Sequence, residues 1–204
     1  MMVVWDWLAG NYFELAAALL GVVSIFLQIK QNHFYWLVAL VMVSMYIYVY
    51  YESKFYADMS LQIYYVIVSI YGWLHWVFGN KKRKKNGDGK KLPVSKLKRK
   101  EWLLSIAASI MLFFVIWYIL DKFTDSPVPI GDAFTTSLSF VATWMLARKL
   151  IENWLFWIVV DVVATGLYIY KGLYPTAALF LFLTVMAFIG YFAWRKDLKK
   201  TQNA

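Results

Sequence analysis

The chain contains no cysteine and only two histidines, four prolines and twelve acidic residues in 204 positions. Without cysteine there is no disulfide framework and no thiolate metal site. The two histidines, His33 and His75, fall at the ends of predicted helices. No histidine or cysteine therefore lies where it would pair as nucleophile and base, or join others around a metal. These absences argue against an enzyme, and we predict no cofactor and no metal site.

Polar surface is also scarce, because 62% of the residues are hydrophobic, 20% are aromatic and the mean hydropathy is +0.55. A soluble domain of this size needs more polar surface than that. A membrane-spanning helix takes about 20 mainly apolar residues. The sequence therefore predicts an all-α polytopic membrane protein with seven transmembrane helices, near residues 12–29, 34–51, 59–78, 102–120, 132–148, 153–171 and 175–194.

The net charge of +9 is distributed unevenly about these spans. Of the 21 basic residues, 18 fall on one side of the alternating segments, and only Lys54, Lys122 and Lys171 fall on the other. An excess of lysine and arginine marks the cytoplasmic side. We therefore expect the N-terminus outside and the C-terminus inside, with a basic cytosolic loop at 79–101 and a basic cytosolic tail at 195–204. The membrane topology accounts for the net positive charge, so nucleic acid is not needed as a partner.

The sequence repeats itself at an offset of 118 residues, which aligns residues 19–76 with 137–194 without a gap. Trp36 then falls on Trp154, Gly72 on Gly190 and Trp76 on Trp194. Each copy holds three predicted helices, in bundles at 1–78 and 132–194, and the span at 102–120 connects them. Because one connecting helix gives both copies the same orientation, we predict a parallel 3+1+3 repeat. That plan is the SWEET-like fold of sugar transporters, whose site lies between the bundles.

Polar and aromatic residues follow one side of the sixth span. At 100° per residue, they cluster within about 120° of one another, whereas the other side is aliphatic. The cluster contains Asn153, Trp154, Trp157, Asp161 and Tyr168. A carboxylate at the bilayer centre costs ~2.5–3.5 kcal/mol even on the mildest scale. Asp161 is therefore a candidate to bind a substrate or to titrate.

The second and third spans add a similar set of side chains: Tyr48, Gln62, Tyr65, Ser69 and Trp73. A structural interpretation stays open for some of them, since Gln62 and Ser69 can hydrogen-bond a neighbouring helix. Tyr168 likewise suits an interfacial aromatic belt. As a binding surface, aromatic faces stack on flat rings and attract cations, and carboxylates and amides bind hydroxyls. The set suits a small neutral or cationic molecule with a flat ring and a sugar, and suits a phosphorylated anion poorly.

The run ENWLFWIVVDVVATGLYIYKGLYPTAALF (152–180) resembles the PnuC-type nicotinamide riboside transporters, most specifically in its NWxxWxxxD pattern. IYGW at 70–73 and the basic loop after it are similar to the same family. The resemblance implies a SWEET-like facilitator of the bacterial inner membrane, which passes nicotinamide riboside downhill to be trapped by cytosolic phosphorylation. The substrate-binding residues it implies are Asn153, Trp154, Trp157, Asp161 and Tyr168, with Gln62, Tyr65 and Trp73 added from the third span.

Several alternatives stay open at this point. Transporters of this shape also take thiamine or riboflavin, which have flat rings too, and a SWEET-like sugar facilitator fits the same fold. Asp161 also allows proton-coupled transport. The fourth span is apolar on all sides, which suits an interface in a homo-oligomer, such as a trimer, as well as packing within one chain. The expected partners are thus the substrate, the lipid bilayer and a second copy of the chain.

Overall fold

The computed structural model describes residues 12–52, 56–79 and 92–202. Residues 1–11 of the predicted first bundle, residues 80–91 of the predicted basic loop and the last two residues of the tail lie outside these ranges. Within them the chain is helical, as predicted, and forms seven α-helices. These are α1 (Tyr12–Ile29), α2 (Phe34–Glu52), α3 (Tyr56–Phe78), α4 (Arg99–Phe123), α5 (Pro129–Ala147), α6 (Asn153–Tyr170) and α7 (Tyr174–Gln202).

Within the described ranges, four helices contain stretches long and apolar enough to cross a membrane, at Leu61–Phe78, Arg99–Phe123, Asn153–Tyr170 and Tyr174–Lys200. Shorter apolar stretches lie in α1 and α2, at Leu20–Ile29 and Phe34–Tyr48. Each of the seven predicted spans coincides with one observed helix to within three residues at each end, except that α7 continues eight residues beyond the predicted end at 194. The hydropathy pattern therefore located the helices correctly.

Local chemistry explains several helix ends. Pro129 occupies the first turn of α5. Backbone N–H groups there have no acceptor within the helix, so the N–H that proline lacks is not missed. At the start of α4, the Glu101 carboxylate accepts the backbone N–H of Lys98 at 2.8 Å. Between α6 and α7, Gly172 has φ 72°, a left-handed conformation that suits glycine.

The chain divides into two compact units, one ending at Leu74 and one beginning at His75. In the first unit, α1 packs against α2. In the second, α4 packs on α5, α5 on α6, and α6 on α7. A buried cluster of Leu97, Val141, Met145 and Leu150 joins the segment before α4 to α5 and to the α5–α6 turn.

Residues 92–98, which precede α4, form a docked segment on the α5–α6 turn. Ser95 forms an isolated parallel bridge with Leu150. Its N–H donates to the carbonyl of Lys149 at 3.0 Å, and its carbonyl accepts the N–H of Ile151 at 3.0 Å. Val94 and Leu97 are buried. The end of the predicted basic loop is thus fixed to the second unit by backbone pairing and apolar burial.

Two buried charged side chains complete this attachment. The Lys149 ammonium donates to the carbonyl of Leu92 at 2.9 Å and lies 4.6 Å from the centre of the Trp76 ring. The Glu152 carboxylate accepts the N–H of Leu97 at 3.1 Å. Both groups lose water on burial, so these contacts offset part of the desolvation cost.

Candidate functional site

The predicted polar stripe lies on the packed side of α6. Asn153 and Trp154 have no exposed surface, and Asp161 is 4% exposed. The exposed large residues of the helix come from its aliphatic positions, namely Leu155, Val159, Val162 and Ile169, together with Tyr170 at its end. The structure therefore brings the polar residues of α6 together on the side facing protein, as expected from the periodicity.

Trp154 is enclosed by its neighbours on α7. A Cβ built on Gly190 would lie 2.5 Å from Cη2 of the Trp154 ring, so only glycine allows this approach. The Trp154 ring also meets Trp194 edge to face, with ring centres 5.5 Å apart and planes at 88°. Because no part of Trp154 is exposed, its principal contacts are with protein. It positions α6 against α7 beside the rest of the stripe.

Three buried polar atoms near the start of α6 have no hydrogen-bond partner among the described residues. They are Oδ1 of Asn153 and the Nε1 atoms of Trp154 and Trp157. The amide nitrogen of Asn153 is occupied, because it donates to the carbonyl of Leu150 at 2.6 Å. An unsatisfied buried polar group costs ~1–3 kcal/mol. This end of the stripe therefore offers an acceptor and indole donors that a bound polar molecule would satisfy.

Asp161 occupies the middle of α6. Its carboxylate forms no hydrogen bond or ion pair with any residue in the described part of the chain. The neighbouring hydroxyl of Thr165 donates instead to the backbone carbonyl of Asp161, at 2.7 Å. A nearly buried carboxylate without a partner in a spanning helix is energetically costly. It attracts cations and hydroxyl donors and repels phosphate.

Tyr168 lies at the other end of the stripe. Its ring stacks on Phe180 of α7, with ring centres 5.1 Å apart and planes at 22°. The Lys171 ammonium is 5.7 Å from the centre of the Tyr168 ring. Lys171 also binds Asp132 of α5, with Nζ 2.9 Å from Oδ1. An ion pair therefore joins α5 to the end of α6 beside Tyr168.

The other predicted site residues belong to the first unit. Ser69 is 3% exposed, while Gln62, Tyr65 and Trp73 are partly buried along the same helix, α3. The Nε1 atom of Trp73 has no hydrogen-bond partner among the described residues. Tyr48, in contrast, is 64% exposed. It borders a shallow surface depression on α2 together with Leu40, Val41, Ser44 and Met45.

Four charged residues that organise the second unit were not among the predicted site residues. Lys149 and Glu152 lie at the α5–α6 turn. Asp132 lies in the first turn of α5, and Lys171 directly follows the end of α6. One signal in the sequence pointed to the docked segment that the first pair holds. Val94 and Leu97 are apolar residues near the end of a strongly basic loop, which is typical of a segment that packs against protein.

Comparison with known proteins gives consistent results. The family profile described as "Nicotinamide mononucleotide transporter" matches residues 11–196. The nicotinamide riboside transporter PnuC of Escherichia coli (strain K12) is 23% identical over 211 residues, covering 91% of this chain and 87% of the relative. The protein of the same name from Neisseria mucosa is 27% identical over 209 residues, covering 96% of this chain and 74% of the relative.

A solved structure is similar over nearly the whole fold. A crystal structure described as that of the vitamin B3 transporter PnuC matches with a TM-score of 0.72 and 26% sequence identity. The match covers 98% of this chain and 87% of the other. The fold is therefore similar, as well as the pattern of the sequence.

Proposed function

This chain belongs to the nicotinamide mononucleotide transporter family, and from that premise we propose that it carries nicotinamide riboside across the bacterial inner membrane. The family is one of transporters, and the relatives that cover most of the chain are named for nicotinamide riboside. The chain itself is a multi-pass membrane protein with several apolar helices. The observation that carries the proposal is the match over residues 11–196, joined to the carboxylate of Asp161, which has no partner among the described residues and lies in a spanning helix.

The charge of the stripe favours the riboside over the mononucleotide. Asp161 has no cation within bonding distance in the described ranges, and Lys149 and Lys171 are engaged with Leu92 and Asp132. A phosphate would meet a carboxylate without a compensating charge. A pyridinium cation instead suits the carboxylate and the aromatic face of Trp157, and the ribose hydroxyls suit Oδ1 of Asn153.

We propose substrate-binding residues in each of the two units, taken separately. On α6, Trp157 and Asp161 bind the ring and Oδ1 of Asn153 binds the sugar. Tyr168 borders the path, and Trp154 holds the start of the helix in place. On α3, Gln62, Tyr65, Ser69 and Trp73 supply further polar and aromatic groups. Tyr48 on α2 adds an exposed aromatic ring to the proposed residues of the first unit.

A parallel 3+1+3 repeat, SWEET-like in plan, is part of the proposal, and the internal geometry of the two copies supports it. In the first unit a Cβ on Gly72 would lie 2.5 Å from the ring of Trp36, and in the second a Cβ on Gly190 would lie 2.5 Å from the ring of Trp154. Trp36 and Trp154 are 118 positions apart, and so are Gly72 and Gly190. The same glycine–tryptophan contact at equivalent positions is the result expected of a duplication.

The turns before Trp36 and Trp154 support the repeat independently. Gln31 and Lys149 are the two non-glycine residues with positive φ in the described ranges, at 53° and 54°, and they too are 118 positions apart. In each turn, the N–H of the following residue donates to the carbonyl five positions earlier. Asn32 donates to Leu27 at 2.9 Å, and Leu150 donates to Met145 at 3.0 Å. On this basis we propose bundles at 1–78 and 132–194 that α4 connects in the sequence. From the distribution of the basic residues we propose that the N-terminus is outside and the C-terminus inside.

Transport in this proposal is facilitated diffusion. The substrate runs down its gradient, and phosphorylation in the cytosol traps it, because the added phosphate is repelled by Asp161. Association of several chains, such as a trimer, is compatible with the apolar surface of α4, on which Leu103, Leu104 and Met111 are each more than 60% exposed.

The decisive experiment is uptake of labelled nicotinamide riboside into proteoliposomes of the purified chain. Unlabelled nicotinamide mononucleotide, thiamine and riboflavin serve as competitors, and a pH gradient is imposed in a parallel series. We expect saturable uptake that neither the mononucleotide nor the two vitamins inhibit and that needs no gradient. Vesicles loaded with a nicotinamide riboside kinase and ATP should accumulate label beyond equilibrium.

Two variants make the test specific to the site. Asp161→Asn should lower the initial rate at least tenfold, because a neutral amide loses the attraction for the pyridinium. Asp197→Asn, which removes an exposed acid of α7, should transport normally. Uptake of thiamine or riboflavin in place of the riboside would reassign the substrate, and dependence on the pH gradient would replace facilitated diffusion by proton coupling.

A further inference from the structure

A groove of about 420 Å³ lies between α4, α5 and α6 in the second unit. It is lined mainly by Ile106, Ile110, Phe113, Phe134, Leu138 and Phe156. The hydroxyl donors of the two serines in its wall are already used, because Ser109 donates to the carbonyl of Ser105 and Ser137 to that of Phe134, both at 2.9 Å. The groove therefore suits a purely apolar occupant, and the polar substrate proposed above does not belong there.

A stripe on the surface of α4 connects the groove to a positive charge. Arg99, Leu103, Ile106, Ile110 and Phe113 fall within about 80° of one another at 100° per residue. Arg99 is exposed and forms no ion pair with any residue in the described ranges. With a rise of 1.5 Å per residue, Arg99 lies ~10 Å along the helix from Ile106 and ~21 Å from Phe113.

These lengths match one leaflet of a bilayer. Half of the hydrocarbon core is ~15 Å thick, and the headgroup region adds ~5–8 Å on each side. Arg99 therefore lies at the depth of the headgroups when the groove lies among the acyl chains. The charge around Arg99 is positive, because Lys96, Lys98 and Lys100 are exposed. The nearest acid, Glu101, is already bound to Arg148 at 3.0 Å.

We infer that the α4–α5–α6 groove is a binding site for an anionic phospholipid, with one acyl chain in the groove and the phosphate on Arg99. The bilayer surrounds these helices, so an acyl chain is the apolar molecule available to fill the groove. The stripe adds selectivity, because only a lipid with a net negative headgroup gains from the group of basic residues. This site is separate from the polar stripe of α6 and does not depend on the transported substrate.

Native mass spectrometry of the full chain in an uncharged detergent tests the site directly. Phosphatidylglycerol is titrated in, and phosphatidylcholine with the same acyl chains and free glycerol phosphate are titrated in parallel. We expect one phosphatidylglycerol per chain to bind at the lowest concentrations, with phosphatidylcholine at least fivefold weaker. Glycerol phosphate should neither bind nor compete, because it lacks the chain that fills the groove.

Matched variants test the two parts of the site separately, namely the positive charge of Arg99 and the apolar groove. Arg99→Gln should weaken phosphatidylglycerol binding about fivefold and leave phosphatidylcholine unchanged, as expected for one basic residue near an anionic headgroup. Arg195→Gln removes an exposed charge of α7 and should change neither. Ile110→Trp should fill the groove and abolish the tight binding. Met111→Trp adds the same bulk at an exposed position of α4 outside the groove and should have no effect.

Each other outcome overturns the inference. Equal affinity for the two lipids would exclude the site, and so would unchanged phosphatidylglycerol binding in either Arg99→Gln or Ile110→Trp. Competition by glycerol phosphate would show that the protein binds the headgroup alone, without an acyl chain in the groove. Loss of an oligomer in Ile110→Trp but not in Met111→Trp would show that a second copy of the chain occupies the groove. Unfolding temperatures measured without lipid identify any variant whose fold has changed, for which Ile110→Phe serves as a smaller replacement.

Discussion

Gly190 lies directly against the ring of Trp154, so close that a single added methyl group would overlap it. A Cβ at Gly190 would be 2.5 Å from Cη2 of the ring, and Trp154 has no exposed surface through which to move away. Overpacking of this kind costs ~1–3 kcal/mol. Gly190→Ala should therefore lower the unfolding temperature in detergent, and Gly72→Ala should do the same through Trp36.

Gly166 is the matched control for these substitutions. It lies within α6, and a Cβ there would meet nothing within 4 Å. Because alanine is favoured over glycine in helices by ~1 kcal/mol, Gly166→Ala should be neutral or stabilising. Equal unfolding temperatures for all three variants would contradict the close contacts on which the repeat rests.

Trp157 should contribute to substrate affinity. Trp157→Ala removes the aromatic face beside Asp161, and the KM for nicotinamide riboside should rise about tenfold, within the range of a desolvated cation–π contact. Trp157→Phe should recover part of the loss. Trp117→Ala on α4 is the control, and a similar rise in KM there would mean that the effect is structural.

Lys149 should hold the docked segment in place. Lys149→Met keeps the apolar stem but loses the hydrogen bond to the carbonyl of Leu92 and the cation over Trp76. We expect faster tryptic cleavage after Lys96 and Lys98, measured by mass spectrometry of the fragments. Lys196→Met, on the exposed side of α7, should leave these rates unchanged. Cleavage that is equally slow in the wild type and Lys149→Met would show that backbone pairing alone secures the segment.

Glu152 should make stability depend on pH. Burial raises the pKa of Glu152 above its usual value of 4.5, and the N–H of Leu97 and the charge of Lys96 oppose that rise. Between the ordinary and the raised pKa, the folded protein binds more protons than the unfolded chain, so its stability falls as pH increases. Above the raised pKa the penalty is constant.

Glu152→Gln removes this titration while keeping an acceptor for Leu97. The unfolding temperature of the variant should therefore increase relative to that of the wild type as the pH rises from 4 to 8. A difference that is independent of pH, or that shrinks as pH rises, would contradict the buried environment of this carboxyl group.

The ion pair between Lys171 and Asp132 should stabilise the second unit modestly. The two side chains are 21% and 29% exposed, so the pair is screened by solvent and is expected to be worth at most ~1 kcal/mol. Asp132→Asn and Lys171→Gln should each lower the unfolding temperature slightly, and the double variant should lose no more than either alone. Additive losses would indicate that the residues act separately.

Much of the fold follows from the order of residues along the chain. Seven apolar runs of helical length predicted seven helices, and all seven are present in the described ranges. The resemblance drawn from the NWxxWxxxD pattern is confirmed by the family match and by the similar crystal structure. The periodicity also predicted that Asn153, Trp154 and Asp161 lie on one side of α6, because residues three or four apart share one side of a helix.

The sequence by itself thus determined the helices, their apolar and polar sides, and the family, since each depends on local hydrophobicity and spacing. The tertiary structure decided which residues meet across long separations. Ser95 pairs beside Leu150, Glu152 binds Leu97, and Gly190 meets Trp154 only because the helices pack as they do. Such contacts depend on the path of the whole chain, and no local pattern specifies them. For the same reason, only the packed structure separated Trp154, which is enclosed by protein, from Asp161, whose carboxylate lacks a partner in the described ranges.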